Sequence, residues 1–541
     1  MIANIAFFAC LFINFVINYL HFMHMFQLNS YSPREQFVWW KKNRGQMWLR
    51  ALLPELFFIF IIVVNILFFT TFIGDVRHPD RLRDELFYRA CPYIGACVNA
   101  VAAVISLLIH KPAKKKLVFT PRVIRMLVTT AIIYGAVCTV SYILLHATYN
   151  MYLAVAEMLV WFAVFMPCLA NLVNKPIEKA INKRYINDAR RIISELPNTT
   201  VIGITGSYGK TSTKFYLEKL LSAKYNVLMT PGSFNTTMGV VKVIRGSLNA
   251  THEIFLCEMG AKGVGEIKEI CDIVHPKHSI ITSIGEQHLE TFGSVENIIK
   301  TKFEIADAVT DGTVFLNYDN EYIREHGTDK KHITYGIEGG DRDYSADNIK
   351  VTEKGTSFTV HHKGESVEFS TKLLGEHNVQ NILGAIAVSH ELGIPFSDLV
   401  YPVKRLDTVP HRMEILDKGS GVTVIDDAFN SNPAGARAAL KTLSGFDALR
   451  ILATPGLIEL GEREYQLNKE LGEYAADCCD IAILVGERQA PPIKEGLLAK
   501  GFPEDNIYVA KDLDDAMKHA YSAQPGRNRV ILLENDLPDN F

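Results

Sequence analysis

"TTVIGITGSYGKTSTKFYLEKLLSAK", Thr199 to Lys224, passes from a β-branched apolar run through two glycines into a stretch of helix-forming residues. The apolar run reads as a buried strand and Thr211 to Lys224 as the helix after it. Between them, Gly206 and Gly209 let the backbone turn its N–H groups toward a common point, which the positive end of the helix dipole also faces. Lys210 and Thr211 come next. Strand, glycine loop, lysine, hydroxyl and helix in that order make a phosphate-binding loop, with backbone amides for the phosphates, Lys210 for the outer ones and Thr211 for Mg²⁺. Gly206, Ser207, Tyr208, Gly209, Lys210, Thr211 and Ser212 are the expected nucleotide contacts. A strict GxxxxGK[ST] pattern requires glycine at Ile204, whereas the glycine present is Gly203, one residue earlier.

Working outward, short β-branched runs keep alternating with helical stretches. "HEIFLCEMG" and "HSIITSIGEQH" read as further strands ending in polar residues. "DTVPHRMEIL", Asp407 to Leu416, reads as a hinge because it holds a proline and precedes a fresh strand, "GVTVIDDAFN". "LRILATPGLIELG" and "CDIAILVGE" then continue a second open sheet. The expectation is α/β: a mostly parallel central domain over 195–408 and a Rossmann-like C-terminal domain over 409–541.

The chain of 541 residues is too long for one ordinary domain, and its first third differs from the rest. Five stretches, near Ile2 to Phe26, Leu52 to Ile73, Cys91 to His110, Met126 to His146 and Met151 to Val173, approach the ~20 apolar residues that cross a bilayer. The first connection carries Arg34, Lys41, Lys42, Arg44 and Arg50 against Glu35, and the third carries Lys111, Lys114, Lys115, Lys116, Arg122 and Arg125 with no acid. The second balances its arginines with Asp75, Asp80, Asp84 and Glu85, and the fourth is uncharged. Because Lys and Arg gather on the cytoplasmic side, a multi-pass region over 1–175 is expected in the cell membrane, with its N-terminus outside and everything after Val173 in the cytoplasm, where ATP is. Glu55 and Glu157 are the ionisable groups inside these runs, and both are expected to snorkel from span ends. The net charge of -3 gives no basic surface for nucleic acid. Nine scattered cysteines without CxxC spacing form neither a zinc site nor a disulfide framework.

"GITGSYGKTSTK" resembles the "TGTxGKT" loop of the Mur ligases, which build the peptide stem of the bacterial wall. The resemblance continues in register over about three hundred residues. "TPGSFNTTMGV" is similar to the "NFNNxxG" loop of the branch called MurF, which adds D-alanyl-D-alanine. "CEMGA" is similar to its "LEMGA", "GEQHLETFGSVENIIKTKFEI" to "HLExxGSxENIAxAKxEI", "GEHNVQNILGAIAV" to "GxHNxxNxLAAIAV", and "IDDAFNSNP" to "DDAYNANP".

The resemblance implies an ATP- and Mg²⁺-dependent amide ligase that phosphorylates an acceptor carboxylate and lets an amine attack the acyl phosphate. It implies Glu258 on the magnesium held by Thr211, His288 on a second magnesium, and a carbamylated lysine in "IIKTKFEI". Lys300 and Lys302 both offer themselves there, and register with "EI" selects Lys302. It places Asn378 and Asn381 at adenine, Arg412 at a phosphate, Asp427 at the ribose, and Asn235, Thr236 and Thr237 at the substrate. The apolar spans stand where the branch has its uridine-nucleotide domain. At the other end, "KGSRxxxxE" gives way to "LLENDLPDNF" and "GDMLELG" reads "ATPGLIELG". The implied acceptor is a cell-wall precursor, free or lipid-linked, and the amine an amino acid or dipeptide. A poly-γ-glutamate-like polymer synthase and a membrane ATPase or transporter are the alternative functions.

Overall fold

The computed structural model describes residues 2–74, 81–110, 115–145, 151–287, 289–352, 355–417, 421–428 and 432–536. His288 lies outside them, as do Asp75 and Asp80 of the second connection, Lys111 and Lys114 of the third, and the fourth connection. Two compact units form, one of Met1–Asn182 and one of Lys183–Leu537.

The first unit is helical: α1 Ile2–Leu28, α2 Pro33–Lys42, α3 Arg44–Gly74, α4 Arg81–Leu108, α5 Pro121–Leu145, α6 Met151–Trp161 and α7 Met166–Ser194, the last running on into the second unit. Among the described residues, three segments, Ile2–Leu28, Ala90–Leu108 and Pro121–Ser141, are long and apolar enough to cross a membrane unaided. The second and fifth expected spans are bent. Arg44–Arg50 and Leu52–Val63 meet at 50°, and Val155–Val164 and Met166–Ser194 at 76°; counting each pair as one span gives five. Prolines explain both bends, since a helical proline lacks the N–H and clashes with the carbonyl four residues back. For Pro54 that carbonyl belongs to Arg50, and for Pro167 to Ala163, inside the 3₁₀ turn Phe162–Val164.

Every fourth residue of α1 from Phe7 to Met23 (Phe7, Leu11, Phe15, Tyr19, Met23) is buried, a stripe that packs against Phe57, Cys91, Met126 and Ala163. One expectation fails here. Glu157 does not snorkel; it is 1% exposed and accepts two hydrogen bonds from Asn99 Nδ2, at 2.8 and 3.0 Å. Its neighbours Ala156 and Val160 turn this face of α6 into the bundle, where Asn99 of α4 meets it.

The second unit holds two sheets. The nine-stranded one comprises β1 Thr200–Thr205, β2 Val227–Met229, β3 Ile254–Glu258, β4 His278–Ile281, β5 Val314–Asn317, β6 His332–Gly336, β7 Tyr344–Thr352, β8 Gly355–His362 and β9 Glu365–Thr371. Its order is β2-β3-β1-β4-β5-β6-β7-β8-β9. The strands pair in parallel from β2 to β7, and β7, β8 and β9 form an antiparallel meander. Alternate residues go to opposite faces, as strand geometry requires. Ile202, Ile204, Leu256 and Ile280 pack under α8 Lys210–Leu221 and a later helix, Glu376–Glu391, while Val201, Phe255, Cys257 and Ile281 pack under Val240, Ile244, Ile298 and Ile305 of α9 Thr237–Ser247 and α10 Val295–Asp307.

The six-stranded sheet comprises β10 Glu414–Asp417, β11 Val422–Asp427, β12 Leu449–Thr454, β13 Ile481–Val485, β14 Ile507–Ala510 and β15 Arg529–Glu534, in the order β10-β11-β15-β12-β13-β14. Only β10 is antiparallel. The expected hinge ends by entering this sheet as β10. Because β1, β3 and β4 run parallel side by side, their carboxyl ends Thr205, Glu258 and Ile281 share one edge, where open α/β sheets bind ligands.

Candidate active site

At that edge, β1 enters the glycine loop. Gly206 and Gly209 have φ of 155° and 81°. A Cβ on Gly206 would stand 2.1 Å from Thr282 Oγ1, so glycine is required for close approach as well as for conformation. The loop is fastened to the residues after β4: Ser207 N donates to Ser283 O (2.7 Å), Tyr208 N to Ser283 Oγ (2.9 Å), and Thr282 Oγ1 to Tyr208 O (2.5 Å). Lys210 Nζ donates to Gly206 O and Ser207 O, at 2.7 and 3.0 Å. Burial pushes its ammonium down to about 8, against the attraction of Glu258, with Arg412 adding to the depression.

Glu258 closes β3 and is fully buried. Both its oxygens lie 3.2 Å from Thr211 Oγ1, Oε1 accepts Asn235 Nδ2 at 3.0 Å, and Oε2 accepts Lys214 Nζ at 2.9 Å. Lys214 is also fully buried, and Gly232 O accepts from it at 2.5 Å. Lys214 is absent from the sequence-based set of site residues. The available signal was its spacing, one helical turn after Lys210 and Thr211 on the same face of α8.

Lys302 of α10 is 3% exposed, whereas Lys300 is exposed, so burial separates the two lysines that sequence left side by side. Among the described residues, no hydrogen bond or ion pair is made by Lys302. Burial holds its ammonium well below the usual lysine range, Lys210 adds to the depression, and Glu266, Glu304 and Glu258 oppose it. Lys210, Thr211, Glu258 and Lys302 therefore share one electrostatic neighbourhood.

The three expected substrate residues divide. Asn235 turns to Glu258, Thr236 caps α9 by accepting from Gly239 N, and Thr237 donates to Glu269 at 2.6 Å. On the other side of the loop, Gly209 and Ser212 face a cleft that is closed by Asn378, Asn381, Arg412 and Asp427. Asn378 also locks α8 to the helix Glu376–Glu391, accepting Tyr216 OH at 2.7 Å and donating to Leu374 O at 2.8 Å. Asn381 accepts Thr213 Oγ1 at 3.3 Å. Asp427 accepts Met413 N at 3.1 Å; burial raises its carboxyl above the ordinary range while Arg412 pulls it back. Arg412 and Asp427 follow the first sheet in the chain, so the cleft is bounded by both α/β parts. Ion pairs bridge the same parts at Lys441–Glu376 (2.7 Å) and Arg463–Glu286.

A phosphate-binding loop, a buried carboxylate beside its hydroxyl, and a cleft closed by a second α/β layer define a two-part nucleotide-binding enzyme of the P-loop class. Residues 204–389 match the Mur ligase middle domain, and 411–534 match the Mur ligase, glutamate ligase domain. The chain belongs to the Mur ligase family. It is 34% identical over 337 residues to the UDP-N-acetylmuramoyl-tripeptide--D-alanyl-D-alanine ligase of Bacillus subtilis, covering 61% of this chain and 72% of the relative. The fold is similar to MurF from Acinetobacter baumannii (TM-score 0.60, 26% identity, 66% of this chain and 77% of the other). It is similar also to MurF from Thermotoga maritima in complex with ADP (TM-score 0.59, 26% identity, 66% and 80%).

Removing Lys214 alone leaves Glu258 buried and uncompensated. Lys214→Met is expected to lower the unfolding free energy by about 3–5 kcal/mol. Chemical denaturation of Lys214→Met and of Lys214→Met with Glu258→Gln should show the double variant recovering part of that loss; equal losses would remove the ion pair from the account.

Proposed function

We propose that this chain is a membrane-anchored, ATP-dependent amide ligase of MurF type, acting in wall-precursor synthesis with its catalytic domains in the cytoplasm. The observation that carries the reading is Glu258, fully buried at a strand end and shared by the P-loop hydroxyl Thr211 and by Lys214. Amides of the loop from Gly206 to Ser212 cradle the ATP phosphates and Lys210 meets the outer ones, while Arg412 reaches a phosphate, Asn378 and Asn381 the adenine, and Asp427 the ribose. An acceptor carboxylate oxygen attacks the γ-phosphorus; the new O–P bond forms as the bond to the β-phosphate oxygen breaks, and ADP leaves. The amine then attacks the acyl carbon, forming the C–N bond, expelling inorganic phosphate and giving its proton to solvent. The cleft between the two α/β parts keeps water from the acyl phosphate, which would otherwise hydrolyse.

Thr211 and Glu258 supply the hard oxygen ligands Mg²⁺ prefers, so these side chains fit the ion the family implies, with Asn235 orienting the carboxylate. Bound there, the ion would neutralise charge on phosphoryl oxygens. The buried Lys302, unpaired among the described residues, fits carbamylation: its neutral amine forms an N–C bond with CO₂ and releases a proton, placing an anion next to Lys210. The apolar helices serve as the anchor. The basic first and third connections lie inside by the positive-inside rule, which sets the N-terminus outside. Such an anchor suits a lipid-linked acceptor, joined to an amino acid or dipeptide amine.

The full chain in detergent, given Mg-ATP, a UDP-muramoyl tripeptide and D-alanyl-D-alanine, is expected to release ADP only when acceptor and amine are both present. ADP release needing neither would overturn the ligase reading.

Lys302 permits a test that does not use turnover. A lysine whose folded-state pKa lies below its unfolded value of 10.5 binds fewer protons folded than unfolded, so it destabilises the fold at low pH, and the cost fades as pH rises toward 10.5. In CO₂-depleted buffer, Lys302→Met should melt above the parent protein at neutral pH, by a margin that shrinks in alkali. Bicarbonate should raise the parent's melting temperature and leave the variant's unchanged. For activity, Lys302→Ala should lose turnover and recover part of it with added acetate or formate.

A further inference from the structure

Side chains in the helical unit form a hydrogen-bond chain whose links all point one way. Arg50 Nη1 donates to Asn18 Oδ1 (3.4 Å), Asn18 Nδ2 to Asn14 Oδ1 (2.8 Å), Asn14 Nδ2 to Asn99 Oδ1 (2.9 Å), and Asn99 Nδ2 to both oxygens of Glu157. Every member is at least 96% buried. The Glu157 end is closed by Asn99. The Arg50 end is unpartnered: among the described residues, the buried Nε and Nη2 of its guanidinium have no hydrogen-bond partner, and neither has either ring nitrogen of His21, which is 8% exposed.

His21 lies one helical turn after Asn18, with the exposed ring of His110 5.6 Å from its own. The basic third connection is fastened to this same end of α1. Gln27 exchanges two hydrogen bonds of 2.9 Å with the backbone of Val118, and His24 Nε2 lies 2.8 Å from Lys115 O. Both lysine- and arginine-rich connections thus reach one end of the bundle, and among the described residues no carboxylate hydrogen-bonds to Arg50.

We infer that the open end at Arg50 and His21 is a binding site for a phosphate group carried on a lipid. A guanidinium with two free donors matches two phosphate oxygens, and the imidazole offers a third contact. The site lies at the charged end of an apolar bundle, the depth of a lipid headgroup, and the exposed Trp48, Leu49 and Leu52 flank Arg50 along α3 with a surface for hydrocarbon. This inference rests on the reading of the chain as a membrane-anchored ligase and names the acceptor class: a phosphate- or diphosphate-linked lipid carrying the carboxylate.

The test uses the full chain in phosphatidylcholine nanodiscs, with farnesyl diphosphate and inorganic pyrophosphate as probes. Farnesyl diphosphate is expected to bind more tightly than pyrophosphate, and Arg50→Gln, which keeps an amide donor for Asn18, should weaken it by roughly tenfold or more. Arg50→Lys should retain part of the affinity, and His21→Phe should lower it with Arg50 intact, which covers failure of the arginine variant to fold. Ligation of the water-soluble UDP-linked acceptor should be unchanged in all three. Equal binding of both probes would make the site one for free anions and overturn the lipid assignment. Unchanged farnesyl diphosphate affinity in Arg50→Gln and His21→Phe would overturn the site. Binding that depends on Arg50 in a protein that forms no amide with any acceptor would support the site while the ligase reading falls.

Discussion

The geometry of the catalytic edge depends on one buried carboxylate. Glu258 fixes the end of β3, and two segments reach it: α8 through Thr211 and Lys214, and the loop between β2 and α9 through Asn235 and through Thr230, whose Oγ1 accepts the Glu258 amide at 3.2 Å. A charge with no solvent exposure is tolerated only when paired and hydrogen-bonded. Those partners set how far the P-loop helix stands from the sheet, and so where loop amides point. Glycine at 206 completes the arrangement, because Thr282 occupies the space that any side chain there would need.

The surroundings of Glu258 are rich in cations. Lys210, Lys214 and Lys302 lie near it, and Arg412 acts on the field at Lys210. Such an excess suits a triphosphate, yet it opposes a second divalent cation. Lys214 is paired through its short contact with Glu258, whereas Lys302 makes no hydrogen bond or ion pair among the described residues. Conversion of the neutral Lys302 amine to a carbamate, as proposed, adds one negative charge beside Lys210.

Much of this was legible in sequence because period and punctuation carry it. The run Thr200–Thr205, the glycines and Lys210 gave strand, turn and helix start to within a residue, and β11, β12 and β13 followed from their apolar runs, whereas β14 and the central β15 were not read. Lys302 could be picked out by register, but its burial could not, since Lys300 sits in the same pattern. Lys214 was missed because a lysine on an amphipathic helix reads as solvated, and only the fold shows that Glu258 waits behind it. Thr236 and Thr237 were read as substrate contacts from a loop pattern; their hydroxyls have local partners, a helix cap and Glu269. Glu157 was misread because hydropathy gives depth along a helix and not the face it presents. The bends at Pro54 and Pro167 were visible as residues, though their effect on span geometry depends on how neighbouring helices re-satisfy the freed carbonyls.

The helical unit buries a cation that is only partly satisfied: among the described residues, Nε and Nη2 of Arg50 have no hydrogen-bond partner. A net-charge argument does not remove the difficulty at Arg50, because Glu157 balances its charge only through three asparagines and fills none of its free N–H groups. The asparagine chain instead fastens α1, α3, α4 and α6 in one register and polarises toward Glu157, each amide strengthening the next. That makes the guanidinium a better donor at its open end. A structure that holds a strong donor buried and unfilled is organised around an acceptor that arrives from outside, which for Arg50 is a phosphate oxygen.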